Sequence, residues 1–307
     1  MQSNFIIQTH KLQGHKAAVY CLCNGFERHT FFSAGSDGII CKWNSELTSD
    51  GILFASTGER IFSLAAFSEF GVLFAGTMLG DLFYIDFEKG STAKRFRFHQ
   101  HSIYRLAKWN EILVAIAGDG IISLWNARDG KLMDHLKISN AKLRSLAIDS
   151  KNNTAFIGDS NGTIHILSLP DLQIIHQIHE YHQKTIFSMC YLESEKYLIT
   201  GGLDAMIRVL NADNQSVIEI KSHWFCVNDI CNLEGSPFFA TASRDKSIRI
   251  WNKANWSLVK EISSPKFAAH MHSVNSLYWM QFMETLFSCG DDGIIYGWKL
   301  NIENDTK

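Results

Sequence analysis

Short apolar runs bounded by Gly, Asp, Asn and Ser follow one another along the whole 307-residue chain. Phe31 to Ala34, Ile39 to Trp43 and Ile52 to Ala55 are three in succession, and their residue types and turn-forming boundaries predict short β-strands. No segment of useful length carries a helical period, so the pattern predicts an all-β chain. One stretch, SAGSDGIICKWN (Ser33 to Asn44), recurs at intervals of 40 to 47 residues. Its turn position is held by Asp37, Leu79, Asp119, Asn161, Asp204, Asp245 and Asp292. Six residues further on a large apolar residue always stands: Trp43, Ile85, Trp125, Leu167, Leu210, Trp251 and Trp298. Upstream of the turn position come His15, Thr57, His99, Ser139, His182, His223 and His270, at a spacing of 22 residues except for His99, which stands 20 before Asp119.

Seven such units fill the chain. A lone four-stranded sheet cannot bury both its faces, whereas seven packed radially can, leaving only short and protected edges. The expected fold is therefore a seven-bladed β-propeller of four-stranded antiparallel blades, one domain over residues 1–307. Only nine residues follow Trp298, too few for an outer strand and a tail. The segment Phe5 to Leu12, FIIQTHKL, is predicted to supply the outer strand of blade 7 and so to close the ring.

The spacing and the pairs Gly14-His15 and Trp43-Asn44 resemble the WD-repeat (WD40) family, with Asn usually replacing the final Asp of the motif. The resemblance covers nearly all of Phe5 to Leu300. It implies a hydrogen-bonded set inside each blade: His15, Ser33, Asp37 and Trp43; His182, Thr200 and Asp204; His223, Thr241, Asp245 and Trp251; His270, Ser288, Asp292 and Trp298. Repeat three has Ala115 at the hydroxyl position and retains His99, Asp119 and Trp125. Repeats two and four have lost nearly all of the set, and their blades are expected to rely on apolar packing.

Composition narrows the function classes. The formal charge of -2 provides no global basic field for nucleic acid or an anionic membrane. Neither a leader pattern nor a spanning apolar stretch is visible, which leads to the expectation of a cytoplasmic protein without a membrane partner. Cys21, Cys23, Cys41, Cys190, Cys226, Cys231 and Cys289 show no zinc-ligand spacing and read as small apolar residues. The histidine clusters around His99, His101, His176, His179, His270 and His272 form no closed ligand set, so neither metal nor cofactor is expected. No phosphate loop or nucleophile elbow is present, and no enzymatic activity is expected.

What remains is the surface. In the family, partner contacts on the narrow face come from the residue after the apolar anchor of the inner strand and from the residue before the turn Asp. The first set here is Tyr20, Phe62, Tyr104, Arg144, Phe187, Asn228 and Asn275. The second is Ser36, Met78, Gly118, Ser160, Leu203, Arg244 and Asp291. From these, Tyr20, Phe62, Tyr104, Arg144, Phe187, Met78, Arg244 and Asp291 are expected to bind a protein or peptide, with the propeller itself a monomer inside a larger complex. The competing expectation is a small-ligand binder or enzyme using the central channel, and a third is a structural subunit with apolar outer strands. The long loop Ser263 to Phe267 and the pair Trp224-Phe225 are expected to extend the binding face.

Overall fold

The apolar runs become strands because each is short, rich in β-branched and aromatic residues, and ended by a turn former. In the computed structural model, which describes residues 5–46, 51–87, 92–211 and 216–301, they form seven four-stranded antiparallel sheets. The first four and last six residues of the expected domain lie outside the described residues. The only helical turns among the described residues are Ser68–Phe70 and Gln281–Met283, both short 3-10 turns.

Strand position within a blade explains the residue pattern. Second strands such as Thr30–Gly35, Val72–Thr77, Phe238–Ser243 and Thr285–Gly290 are buried at every residue, since both their faces meet neighbouring blades. They therefore read as continuous apolar and small residues instead of alternating. Outer strands such as Leu132–Lys137 and Ile174–Ile178 are largely exposed and mix apolar with polar residues. The apolar residue six past each turn position is buried in all seven blades, from Trp298 and Ile85 at 0% to Trp251 at 3% exposure.

The ring closes as expected. Ile6–Gln13 is the outermost strand of blade 7 and pairs antiparallel with Ile294–Leu300, from Ile6 opposite Leu300 to Gln13 opposite Ile294. Ile6 and Leu12 are buried, and Phe5 packs edge-on against Phe238 of blade 6 with ring centroids 5.4 Å apart. His10 Nε2 lies 2.9 Å from the Ser45 carbonyl oxygen of blade 1, so the closing strand also touches the next blade round the ring.

Candidate functional site

Four blades carry, at the positions expected from the sequence, a largely buried polar chain that fixes the loop preceding the inner strand. In blade 1 the Trp43 indole N–H donates to Ser33 Oγ (2.7 Å), the hydroxyl meets His15 Nε2 (2.7 Å), and His15 Nδ1 meets Asp37 Oδ2 (2.9 Å). Blade 6 repeats this through Trp251, Thr241, His223 and Asp245, and blade 7 through Trp298, Ser288, His270 and Asp292. Blade 5 has Leu210 in place of Trp. There the Thr200 hydroxyl contacts His182 Nε2 (2.8 Å), and the Arg208 guanidinium donates to Asp204 (2.8 Å) and Glu219 (2.7 Å). The other carboxylate oxygen of each turn Asp accepts a backbone N–H two residues on, as Ile39 donates to Asp37 Oδ1 (3.1 Å).

Burial would raise these carboxyl pKa values, but the histidine contacts and the turn N–H groups outweigh it, and Asp119, Asp204, Asp245 and Asp292 are all held below the ordinary range. For His182 and His223 burial wins over the aspartate partner and the ring pKa is pushed down. Burial thus favours the neutral form of both rings.

The three remaining blades differ from expectation. Blade 3 has not lost its hydroxyl. Ser123, directly opposite Ala115 on the adjacent strand, accepts from Trp125 Nε1 (2.8 Å) and meets His99 Nε2 (2.9 Å). The group has moved across one rung of the ladder and restores the chain to Asp119. Nor do blades 2 and 4 rely on apolar packing alone. In blade 4 the buried Asp159, two residues before Asn161, pairs with His165 Nε2 (3.1 Å) and accepts from the Ser139 hydroxyl (3.2 Å). In blade 2 the buried Asp81 pairs with Arg95, which also reaches Glu59 on the loop before the inner strand. A buried or half-buried carboxylate, paired with a cation or histidine and anchoring that loop, is thus present in all seven blades, by three different routes.

At the end of the ring where these loops lie, two circles of seven residues form. The apolar anchors Val19, Ile61, Ile103, Leu143, Ile186, Val227 and Val274 are all fully buried. After each anchor the pairing register of the inner strand slips by one residue, at Tyr20, Phe62, Tyr104, Arg144, Phe187, Asn228 and Asn275. A bulge at this place takes one residue out of the ladder and re-aims its side chain. Just outside, Ser36, Met78, Gly118, Ser160, Leu203, Arg244 and Asp291 each donate their backbone N–H to the carbonyl of the residue before the anchor, at 2.8–3.2 Å. The fold thus puts both sequence-derived sets on one face.

The inner circle has two unlike halves. On the polar half, the Asn228 amide donates to the Val274 carbonyl (2.8 Å) and the Ser273 hydroxyl (3.0 Å), while the Asn275 amide donates to the Val19 carbonyl (3.0 Å) and Asp291 (2.8 Å). On the other half rings pack against one another in series. Tyr20 meets Phe62 at 5.3 Å, Phe62 meets Tyr104 at 5.7 Å, and the Arg144 guanidinium lies 3.7 Å from the Tyr104 centroid and 4.9 Å from that of Phe187. Such cation–ring contacts contribute about 0.5–2 kcal/mol each.

One residue below the bulges, Ser63, Ser145 and Ser188 donate to the anchor carbonyl of the next blade, at 3.4, 3.0 and 3.1 Å. Blade 3 has Arg105 at that level. It crosses to blade 6 and donates to the Asn228 carbonyl (3.1 Å) and to Asp229 (3.2 Å), whose other oxygen accepts from Ser276 and the Leu277 N–H. This ion pair spans the channel beneath the mouth.

The result is a hollow of about 390 Å³ lined by Tyr20, Phe62, Met78, Tyr104, Arg144 and Phe187, with Ser102, Arg105, Asn228 and Asn275 completing it. Six of the eight expected binding residues meet there. Arg244 and Asp291 do not line it; both are exposed, and Asp291 is held by Asn275 at the rim. Sequence reasoning overlooked Arg105, although an arginine where four other repeats have serine is a visible signal.

The long loop of blade 7 does not extend this hollow. Phe267 packs edge-on against Trp298 (6.1 Å), and Gln8 on the closing strand donates to the Ala268 carbonyl (3.0 Å), so the extra length is used in packing at the closure. Trp224 and Phe225 are 77% and 58% exposed on the loop leading into blade 6. All seven cysteines are free thiols, and among the described residues no group of three or more His, Cys, Asp or Glu side chains could hold a metal ion.

A ring of seven four-stranded blades, with histidine, hydroxyl, aspartate and tryptophan chained through its blades, defines a repeat propeller with a hollow at one face. The family model described as "WD domain, G-beta repeat" matches residues 7–44, 173–211, 214–252 and 262–299, just over half of the chain, and the protein belongs to the WD-repeat family. These four segments carry the turn Asp of blades 1, 5, 6 and 7, the blades in which histidine, a hydroxyl from the second strand and aspartate occupy the family's positions. The fold is similar to the WD40 β-propeller domain of Doa1, with a TM-score of 0.85, 17% identity and 96% of each chain covered.

Among curated proteins the chain is 24% identical over 187 residues to the U3 small nucleolar RNA-associated protein 21 homolog of Schizosaccharomyces pombe, covering 58% of this chain and 20% of that protein. It is 32% identical over 122 residues to the apoptotic protease-activating factor 1 of Homo sapiens, covering 39% and 9% respectively. The 77 kDa echinoderm microtubule-associated protein of Lytechinus variegatus is 28% identical over 110 residues, covering 34% and 17%. The chain spans a fifth or less of the length of these relatives. Among the described residues no helix is long and apolar enough to cross a membrane.

Proposed function

We propose that the protein is a non-catalytic scaffold whose narrow face binds an extended segment of a partner protein across the arc Tyr20, Phe62, Tyr104, Arg144 and Phe187. The observation that carries this reading is the division of the mouth. Asn228 and Asn275 have already used both amide N–H groups within the protein, whereas the rings and Arg144 are packed against one another and leave apolar surface and a charge facing solvent. Aromatic, Met and Arg side chains at the centre of a rigid concave face are those that dominate binding energy, and a preformed hollow needs little ordering.

Propellers of this family typically act as interaction scaffolds, and a nucleolar RNA-associated and a microtubule-associated protein among the relatives support a binding role. The titratable side chains lining the hollow are two tyrosines and two arginines, and Arg105 with Asp229 bridges the channel below it. That set supports holding a ligand at the mouth over conversion of one deep in the channel. Seven unpaired cysteines support residence in a reducing compartment, which we read as the cytoplasm.

The test compares proteins copurified with the wild type, with Phe62→Ala/Tyr104→Ala, and with Ile175→Asp on the outer strand of blade 4. Partners lost from the double variant but retained by Ile175→Asp, at closely similar melting temperatures, are expected. Partners unaffected by the double variant would refute the face.

A further inference from the structure

The charge of the hollow narrows the class of partner segment. Of the ten lining residues two are cations, Arg105 and Arg144, and none is an acid. Arg105 is neutralised by Asp229. Arg144 has no ion pair among the described residues; its hydrogen-bonding neighbour is the uncharged Tyr104 side chain, and its Nε is buried without a partner. Its guanidinium is held in place by rings on two sides, Tyr104 at 3.7 Å and Phe187 at 4.9 Å. An immobilised, partly desolvated guanidinium lacking an anion is incomplete: burial disfavours its charge, and its pKa is pushed down accordingly, with the Tyr104 side chain only partly offsetting this. The one acid at the rim, Asp291, belongs to blade 7, on the far side of the ring from blade 4, and accepts from Asn275.

We infer that Arg144 is the seat for a single carboxylate, so that the segment bound at this face is a peptide carrying a glutamate or aspartate beside apolar side chains that lie over Tyr20, Phe62 and Met78. One free positive charge matches a carboxylate. A phosphate group carries nearly twice the charge, and the second cation it would require is already committed to Asp229. The planar fork of arginine presents paired N–H donors to the two oxygens of a carboxylate, and stacking between rings fixes the direction in which the fork points. This inference rests on the narrow-face reading above.

The experiment measures binding of short synthetic peptides by fluorescence anisotropy. They share mixed apolar flanks and differ in a central residue fixed as Glu, Gln, phosphoserine or Lys. The wild-type protein is expected to prefer the Glu set to the Gln set by about 10- to 100-fold, the range of a charge-assisted hydrogen-bonded contact. Arg144→Gln should abolish this preference while retaining weak, Phe62-dependent binding of both sets, with a melting temperature near that of the wild type. Phe62→Ala should weaken the Glu and Gln sets alike.

Peptides bound in a Phe62-dependent way without preference for Glu over Gln would overturn the carboxylate seat and leave the face standing. A phosphoserine set bound more tightly than the Glu set would overturn the single-charge argument. Absence of Phe62-dependent binding in every set would overturn both readings together.

Discussion

Ser123 offers a test of how the polar chains hold the blades. It is fully buried, accepts from Trp125 Nε1 at 2.8 Å and meets His99 Nε2 at 2.9 Å. Ser123→Ala removes both contacts while leaving the indole N–H and the imidazole nitrogen in place, and each buried polar group left unmade costs about 1–3 kcal/mol. A loss of roughly 2–4 kcal/mol follows, since the two share one hydroxyl and relax together. With an unfolding entropy of about 2.1 cal/mol/K per residue, this corresponds to a fall in melting temperature of about 3–6 °C. Ala115 lies directly opposite, at the position held by Ser33 and Ser288 in other blades. The pair Ala115→Ser/Ser123→Ala should therefore recover more than half of the loss by returning the hydroxyl to the second strand. Calorimetry and urea titration of both single variants and the double variant measure the coupling. A Ser123→Ala loss below about 0.5 kcal/mol, or a double variant no more stable than Ser123→Ala, would refute the relocated-hydroxyl account.

Acid should weaken the fold in two stages. His182 and His223 have lowered pKa values, so their contribution is present above the ordinary histidine value of 6.5 and is lost as pH falls below it; the lowered Asp119, Asp159, Asp204, Asp245 and Asp292 add a second loss below about 3.8. Urea midpoints that stay flat between pH 7 and pH 5 would contradict the neutral histidines. Deleting residues 1–12 removes the partner of Ile294–Leu300 and the buried Ile6 and Leu12, worth about 1.5–3 kcal/mol each, so blade 7 should exchange its amide hydrogens early and unfolding should broaden. An unchanged, single sharp transition in the truncated protein would count against closure by this strand.

The fold was legible because it is written seven times. Two spacings carried through the repeats tolerate the loss of any one residue, so even blade 2, with Leu79 at its turn, keeps its place. The closing strand could be read from position, since Phe5 to Leu12 stands before Gly14-His15 as Leu258 to Ile262 stands before His270. The polar chains were less legible because spacing identifies a position, whereas hydrogen bonding needs only a group in the right volume. Ser123 replaces Ala115 from across a rung, Asp159 acts two residues ahead of Asn161, and Asp81 with Arg95 replaces the histidine route altogether. Each substitution lies on a neighbouring strand or turn, adjacent in space but displaced in sequence. The bulges were hidden for a related reason: a slip of register leaves no mark in residue type, and the resemblance alone pointed to Tyr20, Phe62 and Tyr104. The engagement of Asn228 and Asn275 by their neighbours, which separates the free half of the mouth from the occupied half, depends on distances that sequence does not contain.

Closure by an antiparallel strand also has a mechanical consequence. Ile6 stands opposite Leu300 and Gln13 opposite Ile294, so the chain on either side of this ladder leaves it at the same end. Tension between those two points acts across the ladder and separates its pairs one at a time, beginning at Ile6 and Leu300, instead of shearing them together. A ring that resists heat through seven mutually packed blades is then soft to force applied at its seam, and a low, flat unzipping force in an optical trap is the expected record. Pulled through loops on two different blades, the same molecule should yield only at much higher force.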